Sequence, residues 1–249
     1  MAISVVINTR NAAATLERTL KSAQGFDEIV VCDMESEDAT VDIARRYGCR
    51  IVAFPRGEVR IVEPARNAAV QAASNDWVLV VDADEEISPQ LREWAYARIQ
   101  DAEGLGGVFV PRKNFVLNRW ARSSYPDYQL RLLRREGLEW PPRVHALPKV
   151  KGRTEHIPAR RDDLALLHAN VHMRDVFERY NRYSDDEVEK RRGWRPGLLA
   201  FWLKPAFRFF RSYVLKGGFR YGVRGYISAR NEAIYKYMSM VKLFEANSD

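Results

Sequence analysis

Strand-like and helix-like segments alternate from residue 3 to residue 81, and this alternation constrains the fold more than any other feature of the chain. Ile3-Ser4-Val5-Val6-Ile7 is a β-branched run ended by the polar Asn8-Thr9-Arg10-Asn11. Ala13, Leu16, Leu20 and Ala23 then recur at helical spacing, and Gly25 ends that helix. Glu28 to Cys32 predicts a second strand. Val41, Ala44 and Tyr47 mark the inward face of a second helix, with Gly48 as its stop. Cys49 to Phe54 predicts a third strand. Pro64 opens a third helix whose Ala65, Ala68, Ala69 and Ala72 suit close packing on a sheet, and Trp77 to Val81 predicts a fourth strand. This order predicts a parallel, doubly wound sheet with right-handed crossovers. All the strands' carboxyl ends then share one edge, where open α/β sheets bind ligands.

Acidic residues fall on that edge. The strand from Trp77 runs straight into Asp82-Ala83-Asp84-Glu85-Glu86. Two carboxylates one residue apart can hold a hard divalent cation, and the cation can carry a nucleotide's phosphates. Alone, the run reads better as a solvated acidic turn, because Ser88-Pro89 reads as an N-cap followed by Pro at the first helical position. Thr9 and Asp33 are expected on the same edge. Asp33 could accept hydrogen bonds from a base or ribose, or could merely cap the next helix, as Ser36 or Asp38 could. Arg66 and Asn67, near a helix start, could donate to phosphate. No GxGxxG or GxxxxGK[ST] occurs, so neither a dinucleotide fingerprint nor a P-loop has support.

The segments Val5 to Asn11, Asp33 to Thr40, Ala65-Arg66-Asn67-Ala68 and Val81 to Glu85, in that order and spacing, resemble a family 2 glycosyltransferase with the GT-A fold. Tyr125-Pro126-Asp127-Tyr128-Gln129-Leu130-Arg131-Leu132, then Trp140, Val144-His145 and Gly217-Gly218-Phe219, resemble the bacterial branch that builds lipopolysaccharide inner core. The resemblance implies an α/β GT-A catalytic domain over residues 1–170. Within it, residues 1–110 form the nucleotide-sugar half and 111–170 the acceptor side. A helical, basic-aromatic extension over 171–249 follows. It further implies inverting transfer from a nucleotide-diphosphate sugar, usually a UDP-hexose, to a lipid-linked or core saccharide, assisted by Mg²⁺ or Mn²⁺. Carried onto this chain, Thr9, Asn11, Asp33, Arg66, Asn67, Asp82 and Ala83 would line the nucleotide-sugar site. Asp82 would face the ribose, and Asp84 would bind the metal.

Asp127 is the first candidate for the general base. Relatives usually carry Val-His-Glu where this chain has Val144-His145-Ala146, so His145 is the second candidate. His168 and His172 have helical metal-site spacing, but Leu164-Ala165-Leu166-Leu167 reads as a strand, which breaks that geometry. His168 alone could complete the cation's shell, or it could be structural.

Hydrophobic content of 46% with 29% charged residues is that of an ordinary globular chain. Its charge is divided unevenly. Residues 1–110 carry 11 Lys and Arg against 18 Asp and Glu, while residues 111–249 carry 29 against 15. The basic half predicts a polyanionic partner. From Phe201 to Arg220, aromatic and basic residues interleave, which suits an anionic membrane surface or a helical subdomain with an aromatic core. Arg10, Arg131 and Arg134 are further candidates for phosphate contacts on an acceptor. The apolar N-terminal run is too short for a signal peptide and no segment reaches transmembrane length, which predicts a cytoplasmic protein; the lipid-linked acceptor that the resemblance implies would put it on the inner face of the membrane as a peripheral protein. Cys32 and Cys49 read as buried free thiols. Two other classes compete. One is a basic nucleic-acid- or membrane-binding protein without catalysis; no nucleic-acid motif is present, and the acidic half would repel such a partner. The other is a sugar nucleotidyltransferase, which should carry a Gly-rich basic loop where this chain has Thr9-Arg10-Asn11-Ala12.

Overall fold

In the computed structural model, all four expected strands form: β1 (Ile3–Thr9), β2 (Glu28–Asp33), β3 (Arg50–Ala53) and β4 (Trp77–Asp82). The structure describes residues 1–55, 57, 62–116, 119–122, 125–142, 146–171 and 173–247, apart from the side chains of residues 116, 169–171, 175 and 179. The connecting helices are α1 (Leu16–Ala23), α2 (Thr40–Arg46) and α3 (Glu63–Ala72). The strands are parallel, with Val6 of β1 opposite both Val30 and Val80. Val5, Ile7, Leu79 and Val81 pack with residues of α1, α2 and α4 (Pro89–Gln100), whereas Val6, Val30, Val78 and Val80 pack with those of α3. Burial on both faces explains why these strands are apolar throughout rather than alternating.

The α2 face differs from the expectation. Thr40, Ile43 and Ala44 are its buried residues, not Val41 and Tyr47. The Ala12 N–H donates to Thr40 Oγ1 at 2.7 Å, which turns Thr40 inward and sets the helix phase. At the start of α4, Ser88 accepts the Leu91 N–H at 3.1 Å with Pro89 in the first turn, as its sequence suggested. Cys32 is buried and Cys49 half-buried; both are free, and burial pushes each thiol up to about 11.

Beyond β4 the sheet turns antiparallel. β8 (Asp127–Arg134) pairs with β4, Trp77 opposite Arg134, and β6 (Leu105–Val116) pairs with β8, Arg112 opposite Asp127. With β10 (Leu166–Val171) and the short β5 (Glu85–Glu86), the strand order is β3-β2-β1-β4-β8-β6-β10-β5, and β7 (Arg119–Trp120) and β9 (Arg153–His156) attach to β6. Because β8 runs against β4, its first residue, Asp127, lies at the carboxyl edge of the parallel strands. That places it with the acids after β4.

The chain divides into two compact units, Met1–Asn114 with Ser124–Ala169, and Phe115–Ser123 with Asn170–Asp249. The second unit contains α5 (Met173–Lys190), α6 (Leu198–Phe210), a π-helical turn at Arg211–Leu215 and α7 (Gly222–Ala246). Lys236 of α7 pairs with Glu187 of α5 at 3.4 Å. A Cβ at Gly225 would lie 1.9 Å from the Gly218 carbonyl oxygen, so only glycine permits this approach of α7 to the preceding turn.

Candidate active site

Thr9 and Asp33 end neighbouring parallel strands in register, and the Thr9 hydroxyl donates to Asp33 Oδ1 at 3.1 Å. The Ser36 N–H donates to Asp33 Oδ2 at 3.0 Å, and the Ser36 hydroxyl donates to Oδ1 at 2.5 Å. Asn11 has φ of 48°, a left-handed conformation that Asn tolerates better than most residues. Its N–H donates to Ser36 Oγ at 2.9 Å, and its side-chain oxygen accepts the Glu37 N–H at 2.8 Å. Thr9, Asn11 and Asp33 therefore knit the loops after β1 and β2 into one rim. Asn67 is spent differently. Its amide donates to the Trp140 carbonyl at 2.9 Å and accepts the Trp140 N–H at 2.8 Å, fixing that ring's backbone.

The acids after β4 meet a cluster of guanidiniums. Asp82 Oδ1 accepts from Arg66 at 2.8 Å, and its Oδ2 accepts from Arg131. Glu85 is fully buried, pairs with Arg112 at 3.0 Å and Arg131 at 3.2 Å, and accepts the Asp82 N–H at 2.9 Å. Burial pushes the Asp82 carboxyl up, but the charges of Arg131 and Arg66 outweigh it and hold the group well below the usual carboxylate range. Asp127 likewise feels burial upward, and the Asn114 hydrogen bond and Arg112 charge bring it down. Arg112 donates to Asp127 Oδ2 through Nε at 2.9 Å and Nη2 at 2.7 Å, and Asn114 adds a bond at 2.9 Å. Asp127 Oδ1 accepts from Gln129 at 3.0 Å.

A depressed carboxylate stabilises the fold above its unfolded value, about 3.9, and this contribution disappears as pH falls through the folded value. The urea midpoint should therefore decline progressively below about pH 5. In Asp82→Asn the midpoint should be lower at neutral pH and its acid slope shallower. An unchanged acid slope would mean that Asp82 is not held by these arginines.

Asp84 stands apart. Arg66, Arg112 and Arg131 pair with Asp82, Glu85 and Asp127, whereas Asp84 pairs with a histidine. Its Oδ2 lies 3.1 Å from His168 Nε2, and its side chain is 44% exposed. His168 Nδ1 lies 2.8 Å from the Asn114 side-chain oxygen. Because the Asn114 amide nitrogen is committed to Asp127, its oxygen must accept from His168 Nδ1–H. His168 Nε2 then faces the Asp84 carboxylate. Carboxylate oxygen and imidazole nitrogen also suit Mn²⁺, so the donor set fits a divalent ion. Among the described residues, no group of three or more His, Cys, Asp and Glu is arranged to hold a metal. Asp84 Oδ2 and His168 Nε2 are the two such donors that this contact brings together.

Several expectations change. Glu85 is no solvated turn acid but the buried hub of the network. Arg131 is 4% exposed and committed to Asp82 and Glu85, so it does not reach an acceptor phosphate. Arg134 lies at the other end of β8, with its guanidinium over Trp77 at 5.7 Å, away from the ligand edge. His168 sits in a strand as expected, while His145 and His172 fall outside the described residues. Ala83 contributes its carbonyl to the Thr19 hydroxyl at 3.0 Å. Arg112 and Asn114 were missed. Their period-two spacing, and that of Asp127, Gln129 and Arg131, puts polar groups on one face of each strand, a signal present in the sequence.

The chain is similar to several known proteins. A lipopolysaccharide core biosynthesis glycosyltransferase, LpsC of Rhizobium meliloti, is 25% identical over 99% of this chain and 93% of its own length. An uncharacterized glycosyltransferase of Rickettsia bellii is 23% identical over 98% of the chain and 86% of its own length. Among solved structures, the mannosyltransferase PcManGT of Pyrobaculum calidifontis, in complex with GDP-Man and Mn²⁺, superposes with a TM-score of 0.57. It is 17% identical, covering 97% of this chain and 86% of that one. TarS of S. aureus gives 0.52 at 16% identity, covering all of this chain and 91% of that one. These two likenesses support the GT-A fold. The glycosyl transferase family 2 model matches residues 4–151, more than half of the sequence, and the chain belongs to that family.

Proposed function

We propose that this transferase moves a hexose from a nucleotide-diphosphate sugar, UDP-linked by preference, to a lipid-linked saccharide of the lipopolysaccharide core, with inversion at the anomeric carbon. The observation that carries this reading is the charge arithmetic at the sheet edge. Three guanidiniums are matched to three carboxylates, and Asp84, with His168, is left for a divalent cation. LpsC, similar along nearly the whole chain, supports the acceptor class.

Thr9, Asn11 and Asp33 form the rim for base and ribose, and Asp82 with Ala83 forms the floor. Arg66 lies beside the diphosphate, and Asn67 serves the site by holding Trp140. Asp84 and His168 would hold Mg²⁺ or Mn²⁺, which would supply charge stabilisation to the departing diphosphate. Asp127 is the base. Its Oδ2 is filled by three donors, but Oδ1 accepts only from Gln129 among the described residues and has a lone pair for an acceptor hydroxyl. As the acceptor oxygen bonds to the anomeric carbon and the bond to the diphosphate breaks, the hydroxyl proton passes to Oδ1. A lipid-linked acceptor lies at a membrane, so the enzyme works as a peripheral protein on the cytoplasmic face.

Asn114 orients both His168 and Asp127. Asn114→Leu should weaken Mn²⁺ affinity in the presence of UDP by roughly 10–100-fold, read by paramagnetic resonance of free Mn²⁺. An unchanged affinity would remove Asn114 from the site. The whole reading is tested by incubating the protein with core oligosaccharide, Mn²⁺ and a panel of nucleotide sugars. One donor should add a single hexose with inverted anomeric configuration. Retention, or no transfer from any donor, would refute it.

A further inference from the structure

Helix α6 is built inside out. Leu198, Leu199, Trp202, Leu203, Phe207 and Phe210 are 79%, 70%, 73%, 59%, 59% and 48% exposed. Their spacing places all six on one side of the helix, and no residue of α6 is fully buried. The other side carries the polar groups. Lys204 lies 3.8 Å from the centre of the Trp194 ring, and Arg208 lies 3.8 Å from Glu232 of α7. Phe201, on that same side, packs edge-on against Tyr237 and Phe244 of α7. An ordinary surface helix faces α7 with its apolar stripe and water with its charges. Here the packing is reversed, and a contiguous apolar stripe of this kind marks an interaction surface.

Charge identifies the occupant. Residues 190–231 contain 11 Lys and Arg and no Asp or Glu. Arg211, Lys216 and Arg220, just beyond the stripe, are exposed, as are Leu215 at 65% and Val223 at 75%. No helix among the described residues is long and apolar enough to cross a membrane. We propose that the outward face of α6 lies flat in the interface of an anionic lipid bilayer, with its rings and aliphatic side chains among the acyl chains and the flanking cations on lipid phosphates. A second copy of the chain would cover the same apolar stripe, but it would bring two uninterrupted basic segments together, which like-charge repulsion opposes. This inference deepens the proposed lipid-linked acceptor by naming the surface that meets its membrane, and it is tested apart from the sugar site.

The test is co-sedimentation of the full chain with vesicles of phosphatidylcholine, and of phosphatidylcholine mixed with phosphatidylglycerol. Binding should favour the anionic vesicles and weaken as salt is raised. Trp202→Ser/Phe207→Ser should reduce binding by about 100-fold, from the apolar burial lost, while its Mn²⁺-dependent thermal shift with UDP stays that of the wild type. Arg211→Gln/Lys216→Gln should reduce binding to anionic vesicles selectively. Equal binding by the serine variant would overturn the proposal. So would a dimer in gel filtration that the serine substitutions dissociate, with no vesicle binding by either form. Vesicle binding without any donor response would leave this surface standing and refute the transferase reading instead.

Discussion

Asp84→Ala should lower the rate of donor hydrolysis by roughly 10³-fold, since a bound cation supplies several kcal/mol to the transition state and each 1.36 kcal/mol is a factor of ten. The slow cleavage of a UDP-sugar by water gives the readout without a defined acceptor. The fold should survive, because the Asp84 side chain is 44% exposed and outside the arginine network. The wild-type rate should rise with Mn²⁺ and fall with chelator, and the variant should respond to neither. His168→Ala should fall between the two, because it removes one ligand while leaving the carboxylate. A variant that keeps both its rate and its metal response would show that the cation, if used, binds elsewhere.

The second large effect is on stability. Arg131 joins Asp82 to the fully buried Glu85, 49 and 46 residues away in sequence. Removing one partner of a buried ion pair leaves an uncompensated charge in a medium that solvates it poorly, a cost of about 3–5 kcal/mol. Arg131→Leu should therefore lower the melting temperature by roughly 10 °C for a chain of this length. Arg112 still touches Glu85 at 3.0 Å, which keeps the loss finite. Glu85→Leu/Arg131→Leu should be less destabilised than the sum of its two single variants, because neither member remains buried and unpaired. Melting curves of the four proteins provide the cycle. A small additive effect would mean that water reaches the pair and screens it.

The parallel half was legible because its signals are local. A β-branched run, a turn residue and a helical period each lie within about a dozen residues, and from Ile3 to Asp82 they predicted the alternating elements, the parallel sheet and its ligand edge. The site's polar network was not, because its pairings are distant. Glu85 reads as one more acid in a charged turn until Arg112 and Arg131 arrive from β6 and β8. Arg131 and Arg134 read alike in sequence, yet one is sealed inside the network and the other lies over Trp77 at the far end of its strand. The aromatic and basic alternation after Phe201 left two arrangements open, and only the packing of α6 on α7 decided which face turns outward. Asn114 carries no signal beyond its alternation with Arg112. Its role follows from having a histidine on one side of its amide and a carboxylate on the other.

Calorimetric titration of the wild-type protein with UDP, with and without Mn²⁺, tests the central claim most directly. Binding that requires Mn²⁺, and that disappears in Asp84→Ala while that variant melts at the wild-type temperature, is the predicted result. Equal UDP affinity with and without the metal, or metal-dependent binding undiminished in Asp84→Ala, would contradict it.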